Sequence, residues 1–239
     1  MESQPHHTVV FFDLDNTLFD HKQSLDSAIS AVQGVFPLLH DIPLKVLAEK
    51  YNDALNHVYD KYLRNELARE DQDAEKVKLF FKSLDLEEPD TECIQHFRNV
   101  YKTAYRNNRS AMPGSIEVLA RLRENGYLTA IITNGPTESQ IEKAKDIGVF
   151  DLVECVITSE EVGHPKPDTR IFQYALEKLE VEPHRAYMIG DCVEADMKGA
   201  ADAGITPILY SPSSNTSWEM VSGKMILVIR HFDELPIMT

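Results

Sequence analysis

Cysteine is scarce in this 239-residue chain: Cys93, Cys155 and Cys192 are widely spaced, odd in number and form no Cys-x-x-Cys pair. That argues against a disulfide framework or a zinc knuckle and suits a reducing compartment, the cytoplasm or the nucleus. Basic charge is also in short supply. The 24 Lys and Arg are outnumbered by 39 Asp and Glu, giving a formal charge of −15. A broad surface for a nucleic-acid polymer or an anionic membrane needs clustered Lys and Arg, and is not expected here. A small anionic ligand stays open, because a metal ion and a few placed cations reverse the field locally. Long apolar runs are missing as well. None approaches the ~20 residues that span a bilayer, and the opening MESQPHHTVVFFD lacks the basic region and apolar stretch of a signal peptide. The expected state is a monomer or weak homodimer.

What is present is ordinary for a folded soluble protein: 43% hydrophobic and 26% charged residues. The length suffices for one large domain or a core with a smaller lobe. Val9–Asp13 (VVFFD) reads as a short buried strand. A helical stretch follows to about Asn107. Within it Leu44, Leu47, Ala48, Tyr51, Leu55, Val58, Tyr59, Tyr62 and Leu63 recur at spacings of three and four and form one apolar stripe. Further helices are expected over Ser24–Phe36, Gln72–Leu84 and Thr91–Tyr105. After Met112-Pro113-Gly114 strands and helices alternate. Leu128–Thr133, Glu154–Thr158, Ala186–Gly190, Ile205–Leu209 and Ile226–Ile229 read as strands. Ser115–Glu124, Thr137–Ile147, Asp168–Leu179 and Ala195–Ala203 read as helices, and Ser211–Ser217 as a surface loop. Apolar strands alternating with helices imply an α/β fold, a Rossmann-like parallel sheet covered on both faces. An all-helical segment interrupts it. The expected division is a core of residues 1–20 and 108–239, with an inserted helical lobe of 21–107.

Ligands of an open parallel sheet bind beyond the carboxyl ends of its strands. The residues leaving those ends are Asp13-Leu14-Asp15-Asn16-Thr17, Thr133-Asn134-Gly135, Gly163-His164-Pro165-Lys166-Pro167-Asp168 and Gly190-Asp191, with Glu194 and Asp196 close behind. Carboxylates from different strand ends, Asp13 and Asp191, are the hard oxygen donors that Mg²⁺ takes together with waters and a substrate phosphate. A carboxylate can also attack phosphorus. Asp15 is placed to protonate a leaving oxygen and then to deprotonate water. Thr133 and the backbone N–H groups around Asn134 and Gly135 suit phosphoryl oxygens at a helix N-terminus. Lys166, stiffened by a proline on each side, supplies the fixed positive charge that phosphoryl transfer needs. His21 and Lys22, and Arg106 and Arg109 at the second breakpoint, read equally as substrate contacts or as surface charges.

DLDNTLFD (Asp13–Asp20), ITNG (Ile132–Gly135), GHPKPD (Gly163–Asp168) and GDCVEAD (Gly190–Asp196) resemble, in order, the four motifs of the haloacid dehalogenase superfamily. The resemblance covers essentially the whole chain. It implies Mg²⁺, Asp13 as nucleophile, Asp15 as acid and base, Thr133 as phosphate ligand and Lys166 as charge stabiliser. It further implies Asp191 and the Asp15 carbonyl as metal ligands. Asp196 would sit behind them, orienting Lys166 or a metal-bound water, with Glu194 competing for that place.

The spacing refines this. Asp13 and Thr133 lie 120 residues apart but Thr133 and Lys166 only 33, which resembles members whose helical cap is inserted after the first motif. Asp15 resembles the phosphatase branch, since the family's dehalogenases lack an acid there. ITNGPTESQ and the segments after it resemble the nucleoside 5′-monophosphate and N-acylneuraminate-9-phosphate phosphatases. The expectation is a phosphomonoesterase acting on a small phosphorylated metabolite, a nucleoside monophosphate or sugar phosphate, through an aspartyl-phosphate. The alternatives are a 2-haloacid dehalogenase-type hydrolase and a non-catalytic protein that senses a phosphorylated metabolite or binds a partner.

Overall fold

The structure, a computed structural model, describes residues 8–64 and 66–236, apart from the side chain of Leu63. The leader reading of residues 1–7 and the Leu63 end of the stripe lie outside the described residues. The chain forms two compact units, one of residues 1–20 and 110–239, the other His21–Arg109.

Strand β1 (Val9–Phe12) is buried throughout. The helical unit follows, with α1 (His21–Val35), α2 (Leu44–Leu63), α3 (Gln72–Ser83) and α4 (Thr91–Asn107). The apolar stripe of α2 explains its packing. Leu47, Tyr51 and Ala54 join Ile29 and Val32 of α1, Val77 and Phe80 of α3 and Phe97 of α4 in one core. Tyr51 is stacked at 5.5 Å on Phe97 and meets Phe80 edge-on at 5.4 Å. Each such aromatic contributes roughly 2–3 kcal/mol by leaving water. Asp90 caps α4, its carboxylate accepting the Cys93 N–H at 2.8 Å.

The chain re-enters the first unit through α5 (Ser115–Glu124), β2 (Leu128–Thr133), α6 (Thr137–Asp146), β3 (Cys155–Thr158) and the single turn α7 (Ser159–Val162). Then come α8 (Thr169–Lys178), β4 (Ala186–Gly190), α9 (Gly199–Asp202), β5 (Thr206–Tyr210), β6 (Trp218–Val221) and β7 (Lys224–Ile229). The strand order is β3-β2-β1-β4-β5-β7-β6. Every pairing is parallel except β6 with β7. Alternation sorts the two faces of β1: Val9 and Phe11 pack with Ile171, Phe172 and Met197, while Phe12 faces the other way onto Phe232 at 6.2 Å.

The sheet departs from the expected all-parallel arrangement at one edge. β6 was not anticipated, and it closes a hairpin on β7 through Ser222 (φ 49°) and Gly223 (φ 79°). Two consecutive left-handed residues make the tight turn that matches strand twist, and Ser-Gly is its sequence signal. The expected Ala195–Ala203 helix also differs. It opens as a π-helical segment, Val193–Lys198, and only Gly199–Asp202 is α-helical.

Candidate active site

β1 is the switch point of the sheet. β2 and β3 were laid down on one side of it, β4 and β5 on the other, and a crevice opens at the carboxyl ends where the order reverses. In the register, Phe12 lies opposite both Ile131 and Ile189, so Asp13 and Asp191 leave neighbouring strands at about the same level. The Asp13 N–H still donates to Ile189 O at 2.8 Å. Asn16, at φ 64°, turns the chain back after Asp15.

Lys166 is the hub. Its buried ammonium donates to Asp13 Oδ1 at 2.6 Å, to Asp196 Oδ1 at 2.6 Å and to Ile132 O at 2.8 Å. Those three bonds engage all the donors it has. Burial alone would lower the Lys166 pKa, but the charges of Asp13 and Asp196 outweigh it and hold the ammonium above its ordinary value. The loop carrying Lys166 is clamped from the next strand end. The Asn134 side chain accepts the Lys166 N–H at 2.8 Å and donates to Lys166 O at 3.0 Å.

The carboxylates outnumber that single cation. Oxygens of Asp13, Asp191 and Asp196 lie within 4.8 Å of one another. Burial pushes Asp13 well above the usual carboxylate range; Lys166 opposes this, and Asp196 and Asp191 add to it. Asp191 is pushed up to about 6, first by burial and then by Asp196. Asp196 differs from the other two because both of its oxygens face protein donors, Oδ1 the ammonium and Oδ2 the Cys192 N–H at 3.1 Å. Its approach requires Gly190: a Cβ there would lie 2.3 Å from Asp196 Oδ2. The wider π turn after Asp191 is what carries Asp196 back under the strand end. Glu194 points elsewhere, pairing with Lys198 at 2.5 Å on the surface.

On the other side of the crevice stands α6. Gln140 is buried and its amide N–H groups reach Thr133 Oγ1 at 3.0 Å, Asn134 O at 2.7 Å and Asp15 Oδ2 at 3.2 Å. Lys143, one turn on, pairs with Asp15 Oδ1 at 2.6 Å.

A family profile of haloacid dehalogenase-like hydrolases matches residues 7–204. The chain belongs to that family. Among its relatives, a ribulose-1,5-bisphosphate 5-phosphatase of Halopiger xanaduensis is 31% identical over 87% of each chain. A glyceraldehyde 3-phosphate phosphatase of Methanothermobacter thermautotrophicus is 30% identical over 84% of each. In fold, the chain is similar to the HAD-hydrolase YfnB of Bacillus subtilis, whose structure was determined with magnesium bound. The TM-score is 0.74 with 20% identity, over 96% of this chain and 97% of that one.

Within this member of the family, Asp13, Lys166, Asp191 and Asp196 converge, as do Asp15 and Thr133 through Gln140. Gly135 does not present a free donor as expected. Its N–H goes to Ser159 Oγ at 2.9 Å, and the Thr137 N–H at the start of α6 goes to Glu160 at 2.8 Å. Asn134 acts on the Lys166 backbone through its side chain. Protein groups thus occupy donors that the sequence reading offered to a phosphate. Gly135 (φ 137°) instead makes room for Gln140, whose Nε2 would sit 2.8 Å from a Cβ. Gln140 and Lys143 were not singled out from sequence. Their i, i+3 spacing, starting five residues after Gly135, places both on one face of α6 and was the available signal. Three of the ambiguous basic residues of the helical unit, His21, Lys22 and Arg109, have local partners. His21 bonds Tyr105 Oη at 2.6 Å, Arg109 lies 5.9 Å over the Tyr105 ring, and Lys22 pairs with Asp26. Among the described residues no helix is long and apolar enough to cross a membrane.

The donor set fits a hard divalent cation. Three acids gather at one ammonium, Asp13 and Asp196 buried and Asp191 more open; burial raises Asp13 and Asp191 most, and the neighbouring carboxylates add to it. Oxygen donors without nitrogen or sulfur suit Mg²⁺.

Proposed function

We propose that this hydrolase is a Mg²⁺-dependent phosphomonoesterase that cleaves a small phosphorylated metabolite, a sugar phosphate or nucleoside monophosphate, through an aspartyl-phosphate. The observation that carries the reading is the buried Asp13–Lys166–Asp196 bridge beside Asp191 at the switch point. The phosphatase activities of the two relatives support the substrate class. Asp15 supports hydrolysis of an ester, because it places a second carboxyl group near the nucleophile for proton transfer.

In this scheme Asp13 attacks phosphorus while Asp15 gives a proton to the departing alkoxide. Asp15 then takes a proton from water, which attacks the phosphorus of the aspartyl-phosphate and restores Asp13. Lys166 holds the nucleophile by one oxygen and sets its orientation, and Asp196 holds Lys166. Thr133 lies at the end of β2 to receive a phosphoryl oxygen. Asp13, Asp191 and the Asp15 carbonyl would hold a Mg²⁺ ion, which when bound would supply positive charge to offset the repulsion between a carboxylate and a phosphate dianion. Every reacting group in the scheme belongs to the first unit; the helical unit, 21–107 in the expected division, enters this proposal as the cap that selects the substrate.

The test is phosphate release from a panel of sugar phosphates, nucleoside monophosphates and an acylneuraminate 9-phosphate, with Mg²⁺ and with EDTA. Metal-dependent release that Asp13→Asn abolishes is expected. Chloride release from a 2-haloacid without metal would replace the reading with a dehalogenase. Tight binding of a phosphorylated metabolite with no turnover would replace it with a sensor.

A further inference from the structure

The motifs leave Gln140 and Lys143 without a role, yet the two meet both oxygens of Asp15. Lys143 Nζ is 2.6 Å from Oδ1 and 5.3 Å from the centre of the Phe19 ring, so the ammonium is held between the carboxylate and an aromatic face. Gln140 Nε2 gives one hydrogen to Asn134 O at 2.7 Å, and its other lies between Thr133 Oγ1 at 3.0 Å and Asp15 Oδ2 at 3.2 Å, which share it. We propose that Gln140 and Lys143 are positioning residues that fix the Asp15 carboxyl group, and tie it to Thr133, so that its proton meets the leaving oxygen of a bound ester. The inference rests on the phosphatase reading above.

Two observations separate this from simple anchoring of α6. That helix is already held at its start by the Gly135 N–H on Ser159, the Thr137 N–H on Glu160 and the Thr137–Thr158 hydroxyl pair at 2.6 Å. Gln140 is also costly as a packing residue. It is 2% exposed, and its Oε1 is buried without a hydrogen-bond partner. A Leu or Met would fill the same volume without an orphaned acceptor, but could not bridge Asp15 and Thr133. A carboxyl group on a short side chain has two soft torsions. Holding both oxygens removes that freedom, and a displacement of about 1 Å in a reacting group costs on the order of 100-fold in rate.

The test compares esters that differ in their need for an acid. A p-nitrophenolate leaves with little protonation, whereas the alkoxide of glycerol 1-phosphate needs a proton. The ratio of their kcat/KM values therefore reads the placement of Asp15 in the step that expels the leaving group. With Mg²⁺ present, Lys143→Met is expected to lower the alkyl-to-aryl ratio by about 10-fold or more. Lys143→Arg, which keeps a donor to Oδ1, should recover most of it. A ratio within about twofold of the wild type would overturn the proposal, whether or not both rates fall, because a merely structural lysine moves both esters together. If Lys143→Met does not fold, as judged by its melting transition, Lys143→Leu, which also lacks a donor, gives the same reading. Wild-type protein inert toward both esters would instead overturn the phosphatase reading, and this inference with it.

Discussion

Replacing Lys166 by Met removes the ammonium bonded to both Asp13 and Asp196 and roughly keeps the volume of the side chain. Both carboxylates are buried, and each loses a 2.6 Å charge-assisted bond. Leaving a buried charge without its partner costs about 3–5 kcal/mol. The cost depends on pH, and its sign follows from the direction of the shifts. Asp13 already stands above its ordinary value, and Lys166 is the main group holding it down; without Lys166 it rises further. An acid whose folded value is raised destabilises the fold once ionised, so the penalty is largest at high pH and shrinks as the acid takes up a proton. In EDTA, Lys166→Met is expected to lose about 3–5 kcal/mol at pH 8 and roughly 1–3 kcal/mol less than that at pH 5. Denaturant unfolding of wild type and variant at the two pH values measures the difference, which cancels titrations common to both. A loss under about 1 kcal/mol at pH 8, or an equal loss at both pH values, would refute the claim that Lys166 balances buried negative charge.

Gly190→Ala should be harmful although it touches no substrate. The added Cβ would lie 2.3 Å from Asp196 Oδ2 and 2.4 Å from its Cγ, so Asp196 must retreat and release Lys166; phosphate release is expected to fall about 100-fold with the melting transition still cooperative. In the helical unit, burial pushes Asp73 up, but Lys102, Lys76 and Arg98 together bring it down to about 2. A lowered acid stabilises the fold above its unfolded value, near pH 4, and that contribution disappears as pH falls toward 2. Asp73→Asn should therefore cost about 1–2 kcal/mol at pH 7, discounted for its partial exposure, and almost nothing at pH 2 by denaturant unfolding.

Much of this was legible because it depends on short-range rules. β1, β2, β4 and the helices of the inserted unit follow from apolar run length and from three-and-four spacing. Asp13, Asp15 and Asp191 sit one to three positions beyond strands and Thr133 ends one, while Lys166 and Asp196 lie further along the connections and are marked by Pro-Lys-Pro and by the acids after Gly-Asp. Two things were not legible, and both depend on what one segment meets in another. The donors at Gly135 and Thr137 look free in sequence because their acceptors, Ser159 and Glu160, belong to the next βα connection. Gln140 and Lys143 look like ordinary polar residues of a surface helix until the register of β1 against β2 brings Asp15 within reach. β6 was missed for a different reason: Trp218 and Met220 are exposed, so the strand lacks the buried run that identified the others.

A chain of charge −15 that hydrolyses anions must solve its electrostatics locally, and the crevice shows how. There Asp13 and Asp196 pair with Lys166, Asp15 pairs with Lys143, and Asp191 lies beside them. With all six ionised the local charge is −2, which, taken as a point charge, would repel a phosphate dianion at about 4 Å by roughly 15 kcal/mol at an effective dielectric of ~20. One divalent cation among Asp13 and Asp191 brings that sum to zero. Under the proposed function the surplus of acid would retain the metal, and the two lysines would orient carboxylates more than attract the substrate. Lys166 and Lys143 each lie 2.6 Å from a carboxylate of the first motif, the one on Asp13 and the other on Asp15. Each of the two reacting acids thereby has an ammonium of its own, and the two ammonium groups come from separate βα connections. In the proposed scheme the nucleophile and the proton carrier act together on one ester, so both must be in place at the same moment, and separate anchors fix each of them without depending on the other.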